Sequence, residues 1–103
     1  MSEALRQRLV RRARLAARIR RFFADRDVLE VGTELTVAGV TDAHIDSVAL
    51  AEGGYLRTSP EFAHKRLLAA GAGDLYELGP VLRAGEHGRH HRRQFWMLEW
   101  YRI

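Results

Sequence analysis

The run from Gln94 to Ile103 constrains this chain most, because its two-residue period leaves neither side of a strand polar. Phe95, Met97, Glu99 and Tyr101 fall on one face, and Trp96, Leu98, Trp100 and Arg102 on the other. Two mainly apolar faces predict a strand covered on both sides. Glu99 lies among aromatic neighbours there, and a carboxylate in that setting is costly unless a cation or hydrogen-bond donors meet it. A structural arginine would serve, and so would a bound ammonium group.

Asp74 to Arg83 is a second strand-like run, separated from the first by the polar stretch Ala84 to Arg93. That stretch is too long for a two-residue turn, so the pair reads as an antiparallel hairpin with a working loop. Pro80 cannot donate to a ladder and places its part of the run at an edge or a bulge. Upstream, Tyr55-Leu56-Arg57-Thr58 reads as a strand that runs into a helix. Ser59 can cap that helix, Pro60 suits its first turn, and Glu61 complements its dipole. The helix is expected from Pro60 to Ala70, with Gly71 as its stop.

At the N-terminus, Leu5, Leu9, Leu15, Ile19, Phe22 and Phe23 recur mostly at steps of three or four, which predicts an amphipathic helix from Ser2 to about Ala24 with arginines on its other face. Val28-Leu29-Glu30-Val31 reads as a short strand ended by Gly32. From Thr33 to Gly54 no period is sustained, and short irregular strands and loops are expected.

With 103 residues and 47% hydrophobic content, the chain has material for one modest core. There is no cysteine, so no disulfide framework, thiolate metal site or thiol nucleophile can be built. No apolar run is long enough to cross a membrane, and a soluble, cytoplasmic protein is expected. Nine of the seventeen basic residues fall between Arg6 and Arg26. Such a segment is either a solvated helix face or a surface for phosphates, an acidic protein or an anionic membrane. His87, His90 and His91 have neither an acidic ligand at fixed spacing nor a helical pair, so no metal is expected from them.

Phe95-Trp96-Met97-Leu98-Glu99-Trp100-Tyr101-Arg102, preceded by Arg89-His90-His91, resembles the second half of motif 2 in lysyl-type class II aminoacyl-tRNA synthetases. Thr58-Ser59-Pro60-Glu61 with Lys65-Arg66-Leu67-Leu68 matches the same family, as does Arg20-Arg21-Phe22-Phe23-Ala24-Asp25-Arg26 leading into Val28-Leu29-Glu30-Val31. The three blocks are collinear and cover nearly the whole chain. The Met97 to Arg102 run, and a start almost at the catalytic domain's first helix without an anticodon-binding barrel, resemble most the elongation factor P lysyltransferase branch, the (R)-β-lysine ligases.

The resemblance implies an α+β fold: an N-terminal helix, then a partial antiparallel sheet with a second helix and a motif 2 hairpin. It implies one truncated catalytic domain over 1–103, divided into a basic helix over 1–27 and the partial sheet, helix and hairpin over 28–103. Motif 3, with its arginine for the γ-phosphate, would follow Ile103. The implied activity is ATP-dependent activation of lysine or β-lysine to an adenylate, with transfer to elongation factor P or tRNA. ATP and Mg2+ are the implied cofactors, and a homodimer built through motif 1 is a further expectation.

Residue by residue, Arg83 corresponds to the motif 2 arginine that bridges the amino acid carboxylate and the α-phosphate, the implied catalytic group. Glu61, with Ser59 beside it, falls where the substrate's α-amino group is held, and Glu99 and Tyr101 match the pair that receives its side-chain ammonium. Phe95 would stack on adenine, His91 would lie near the phosphates, and Glu86 stands one place beyond the acid of the family's Arg-x-Glu, which here reads Arg83-Ala84-Gly85. Motif 1 ends in Gly32-Thr33-Glu34 where the family has Glu-Thr-Pro, and His91-Arg92-Arg93-Gln94-Phe95 replaces His-Asn-Pro-Glu-Phe. The alternatives are a non-catalytic basic module that binds RNA or an acidic translation factor, and an inactive remnant.

Overall fold

A computed structural model describes residues 1–40, 42–85 and 93–103. Helix α1 spans Glu3–Ala24, and the Ser2 side chain caps it by accepting from the Leu5 N–H at 3.2 Å. It ends in a Schellman motif, in which the Asp27 N–H donates to the Ala24 carbonyl and the Val28 N–H to the Phe23 carbonyl. Asp27 takes the left-handed conformation this ending needs, at φ 54°. Only the last turns of α1 meet the core. Phe23 is buried and stacks on Tyr76 with ring centroids 4.2 Å apart, with Val28, Ile19 and Leu98 packed around the pair.

The apolar stripe expected along the whole of α1 is therefore used at one end only, and Leu5, Leu9, Leu15 and Phe22 are exposed. Geometry supplies the reason. The Arg12 guanidinium lies 4.7 Å above the Trp96 ring, while the Phe23 ring lies 6.1 Å from Trp100, so α1 runs alongside the last strand. At about 1.5 Å per residue, the turns before Arg12 overhang its Gln94 end.

Strand β1 is Leu29–Glu30, β2 is Thr36–Val37 and β3 is Tyr55–Leu56. Helix α2 covers Glu61–Ala69, followed by β4, Leu75–Leu82, and β5, Gln94–Tyr101. The last three strand assignments lie inside the longer runs expected from the sequence. The strands β2 and β3 form a small antiparallel ribbon, and the main sheet has the order β1-β4-β5. The hairpin β4–β5 is antiparallel, pairing Leu75 with Tyr101 and Leu82 with Gln94. The sheet is nevertheless mixed, not wholly antiparallel, because β1 pairs parallel to β4. The crossover between them carries β2, β3 and α2, long enough to return the chain in the same direction.

Pro80 sits at an edge, as its missing donor requires. The Arg83 N–H donates to the Arg93 carbonyl, so odd positions of β4 bond toward β5 and even ones point away. Pro80 is even, and among the described residues β1 pairs only with Leu75 and Tyr76, so no described strand stands where its N–H would be.

Helix α2 starts one residue later than expected. Pro60 occupies the cap position, and Ser59 accepts instead from the Glu61 N–H at 3.3 Å. Gly71, at φ 91°, closes the helix in a second Schellman motif, with its N–H on the Leu68 carbonyl and the Ala72 N–H on that of Leu67. α1 packs on the Tyr76, Leu98 and Trp100 face of the sheet, and α2 on the Glu77, Glu99 and Tyr101 face. The last strand is thus covered on both sides, although Trp96 and Trp100 stay about half exposed.

Candidate functional site

The face toward α2 begins with an electrostatic conflict. Glu77 and Glu99 are direct partners across β4 and β5, on a hydrogen-bonded pair whose Cα atoms stand about 5.5 Å apart. Like charges so placed destabilise a hairpin unless other groups intervene.

For Glu77 they do. Its carboxylate accepts from the Thr33 hydroxyl at 2.7 Å, the Thr33 N–H at 3.2 Å and His64 Nε2 at 2.8 Å, and Arg57 Nη1 lies 3.0 Å away. Arg57 donates further to the Pro80 carbonyl and the Thr33 hydroxyl, while its own N–H and carbonyl bond to Leu35 and Leu82. The guanidinium comes this close because position 79 is glycine: a Cβ there would stand 2.8 Å from Arg57 Nη2 and 3.3 Å from Glu77 Oε2. Burial pushes the Glu77 carboxyl up, but the bonds from Thr33, His64 and Arg57 outweigh it and hold the group below the ordinary carboxylate range.

Glu99 is met differently. The Tyr101 hydroxyl donates to its Oε2 at 3.2 Å, and His64 Nδ1 lies 3.1 Å from the same oxygen. The approach of Nδ1 is off the line a hydrogen bond needs, so this atom, on a fully buried ring, makes none among the described residues. Burial first, then the charge and hydrogen bond of Glu99 and the charge of Glu61, push the Tyr101 phenol up to about 12, so it stays a donor. The Glu61 carboxylate forms an exposed pair with Lys65 at 2.8 Å. Glu99, Tyr101 and Glu61 are thereby gathered around the N-terminal half of α2. The structural arginine considered for Glu99 belongs to Glu77 instead.

Toward the hairpin end of the same face, Arg83 Nε and Nη2 both donate to the Thr58 carbonyl at 3.3 Å, and its guanidinium lies 5.2 Å over the Phe95 ring. Arg83 thus ties the segment before α2 to the hairpin. Four positions separate Phe95 from Glu99 on β5, roughly 14 Å. Gly85 has φ 71°, and a Cβ there would stand 2.9 Å from Asp46 Oδ2, so a glutamate at 85 would be strained and set against a like charge. Glu86 and His91 lie outside the described residues, as do His87, Arg89, His90 and Arg92. Among the described residues, no three or more potential ligands gather to hold a metal ion, and no helix is long and apolar enough to cross a membrane.

Sequence reasoning missed the network of Thr33, Arg57, His64 and Glu77. A signal was present: Glu77 interrupts the apolar run of β4 as Glu99 interrupts that of β5, and two carboxylates in one covered hairpin require nearby cations or donors.

The sequence model of the tRNA synthetases class II (D, K and N) matches residues 1–102. The chain belongs to this class II synthetase family. It is 49% identical over 108 residues to the elongation factor P (R)-β-lysine ligase of Yersinia enterocolitica, covering 91% of this chain and 32% of that protein. The ligase of the same name from Vibrio cholerae is 50% identical over 105 residues, with 92% and 32% covered. The chain therefore spans about a third of the length of these relatives. Among solved structures, a putative aspartyl-tRNA synthetase from Leishmania major Friedlin aligns with a TM-score of 0.71 at 22% identity, over 85% of this chain and 17% of that one. That likeness establishes the class II fold, and the α+β expectation holds.

Proposed function

We propose that this chain is part of a ligase that activates lysine or (R)-β-lysine with ATP and passes the acyl group to elongation factor P or tRNA, in the cytoplasm. The reading rests on family membership, on relatives named for β-lysine ligation to elongation factor P, and on one geometric observation. The Glu99–Tyr101 pair and the Arg83–Phe95 stack stand on a single face of the β4–β5 hairpin.

In the first step a substrate carboxylate oxygen attacks the α-phosphorus of ATP and pyrophosphate leaves. In the second, an acceptor nucleophile attacks the acyl carbon and AMP leaves. Neither step needs a covalent protein intermediate; both need alignment and charge neutralisation. Arg83 is the group to bridge carboxylate and α-phosphate, since its planar fork is always charged. Its long bonds to the Thr58 carbonyl, at 3.3 Å, are ones a better acceptor would replace. Phe95 offers a ring for adenine beside it. Glu99 takes the side-chain ammonium, with the neutral Tyr101 hydroxyl fixing its carboxylate, and Glu61 and Ser59 take the α-amino end. Glu86 and His91 belong to the ATP side of this reading. Mg2+ would accompany ATP, though the described residues form no site for it. In a homodimer, the exposed Leu5 and Leu9 would meet a second copy.

Amino-acid-dependent pyrophosphate exchange tests the proposal. Lysine or (R)-β-lysine should support exchange; Arg83→Ala should lower it about 100-fold or more, and Glu99→Gln should raise the amino acid requirement about 10- to 100-fold. Absence of exchange with both amino acids, or exchange indifferent to both substitutions, defeats it.

A second reading rests on α1. Arg11, Arg14, Arg18 and Arg21 follow one another at helical spacing and form no ion pair among the described residues. A basic module using this stripe would bind RNA or an acidic translation factor without catalysis. Its affinity would fall with salt at about one logarithmic unit per phosphate contact, and salt-independent binding ends that reading.

A further inference from the structure

The pair assigned to the substrate's ammonium is not fixed by its own bonds. Glu99 and Tyr101 stand two residues apart on β5, and the one hydrogen bond that Glu99 makes among the described residues, at 3.2 Å, ties the two to each other and to nothing else. With 23% of its side chain exposed, Glu99 borders solvent. A glutamate stem has several staggered arrangements open to it, so a carboxylate in this position would turn unless a wall stops it.

The wall is the ring of His64, on α2. It is fully buried, its Nδ1 stands 3.1 Å from Glu99 Oε2 without forming a hydrogen bond, and it meets the Tyr101 ring edge-on, with centroids 5.7 Å apart and planes at 89°. One ring thus bears on both members of the pair. From its far side it is held in turn, because Nε2 is bonded to Glu77 at 2.8 Å and Glu77 is fixed by Thr33 and Arg57. The other end of the same sheet face is also tied down. Arg83 donates twice to the Thr58 carbonyl, and the Phe95 ring beneath its guanidinium belongs to a position roughly 14 Å from Glu99 along β5. An amino acid reaching from Arg83 to Glu99 is therefore measured between two fixed points.

Resting on the lysine-type reading of Glu99, we propose that His64 is a positioning residue that sets substrate length, its ring locking the Glu99–Tyr101 pair so that an amine one methylene shorter than that of lysine does not reach the carboxylate. Glu99 alone does not supply this selection, since it satisfies any primary ammonium that arrives beside it. A carboxylate free to turn would follow the shorter side chain and accept it. One missing methylene is worth about 10- to 200-fold in discrimination when the walls of a site hold still, and less as they yield.

Pyrophosphate exchange by the intact chain, measured over a range of L-lysine and of L-ornithine, reads the selection. The wild type should favour lysine by about 10-fold or more in kcat/KM, and His64→Gln, whose amide can still donate to Glu77 but has no ring, should bring the two within about 3-fold. The change should lie chiefly in the KM for the amino acid, with the KM for ATP unaltered. His64→Leu fills much of the same volume without ring or donor and should lose the preference as well. Phe23→Leu weakens the core on the α1 face and should keep the preference, which separates positioning from lost stability. Carbon NMR gives a readout that needs no ligand: the Glu99 carboxyl and the Tyr101 Cζ resonances should both move in His64→Gln and stay in place in Phe23→Leu. A lysine preference that survives in His64→Gln, or resonances that do not move, overturns the proposal. Absence of exchange by the wild type with lysine and with (R)-β-lysine refutes the functional reading and length selection with it, while the NMR of the free chain still decides whether His64 holds the pair.

Discussion

Removing the Arg57 guanidinium should be costly, and removing the charge it strands should recover part of that cost. In Arg57→Met, Glu77 keeps Thr33 and His64 but loses its cation, with 6% of its side chain exposed. Breaking a buried ion pair by deleting one partner costs about 3–5 kcal/mol. A domain of this length has roughly 5–15 kcal/mol of total stability, so the variant loses a large share of it. With a urea dependence of about 2 kcal/mol per molar, the unfolding midpoint should fall by about 2 M. The double variant Arg57→Met, Glu77→Gln removes the stranded charge while its amide oxygen still accepts from Thr33 and His64. It should recover about 1–3 kcal/mol relative to the single variant.

Acid gives an independent check on the same charge. The folded Glu77 carboxyl is held down, so its contribution is full above the ordinary glutamate range, near 4.3, and is lost as pH falls through the folded value. Arg57→Met lacks one of the groups that hold it down, so the wild type and the variant should converge in acid, where Glu77 is protonated in both. Urea titrations followed by tryptophan fluorescence near neutral pH and in acid below the folded Glu77 value measure these differences. A single variant within about 0.3 M of wild type, or a double variant weaker than the single, refutes the claim that stranded charge sets the cost.

Gly79→Ala should destabilise by about 1–3 kcal/mol in the same urea assay, because the added methyl would stand 2.8 Å from Arg57 Nη2 and push it from Glu77. Asp27→Gly should be neutral to stabilising by up to about 1 kcal/mol in thermal unfolding, since position 27 has φ 54° and glycine takes that backbone without strain. The Tyr101 phenol, pushed up to about 12, should be the last tyrosine seen by ultraviolet absorbance on raising pH, and Tyr101→Phe should remove that step. Its raised value adds stability that is present below the ordinary tyrosine range and lost as pH climbs through about 12.

What could be read from the sequence was local. Ser59-Pro60-Glu61 and Gly71 bracket α2 to within a residue, because caps and left-handed stops act on their own neighbours. Alternation along Leu75–Leu82 and Gln94–Tyr101 gave the hairpin and both faces of β5 for the same reason. The parallel pairing of Leu29 with Leu75 and of Glu30 with Tyr76 joins residues 46 apart, and no local pattern encodes it. Arg57 meets Glu77 from 20 residues away, through a backbone path set by Leu35 and Leu82. The helical period of α1 was right about helix and silent about what lies opposite, so it overstated how much of Leu5 to Phe23 is buried. Among the expected site residues, Arg83 was found with Phe95, and Glu99 with Tyr101, because period two fixes which side chains share a face.

The two faces of the sheet are built from opposite materials, and the contrast carries an argument about Glu99. Against α1 the buried side chains are apolar or aromatic, Phe23, Val28 and Tyr76; against α2 they include Arg57, Thr58, His64 and Glu77. Apolar residues of similar volume would hold the second face as well or better, so stability alone does not explain four buried polar groups. Their geometry explains them as a chain of constraints. Gly79 lets Arg57 approach, Arg57 and Thr33 neutralise and fix Glu77, and Glu77 fixes the His64 ring through Nε2. The ring then places Nδ1 3.1 Å from one oxygen of Glu99, and the Tyr101 hydroxyl donates to that same oxygen. Each step removes a degree of freedom from the next, and the last carboxylate is the one group in the network left to receive a charge from outside. A substitution early in the chain, such as Gly79→Ala, should therefore reach Glu99 without touching it: ligand-free, it should loosen His64 and shift the NMR resonances of its ring. An unchanged ring in that variant would mean that Glu77 does not orient His64, and the chain of constraints would break at its middle.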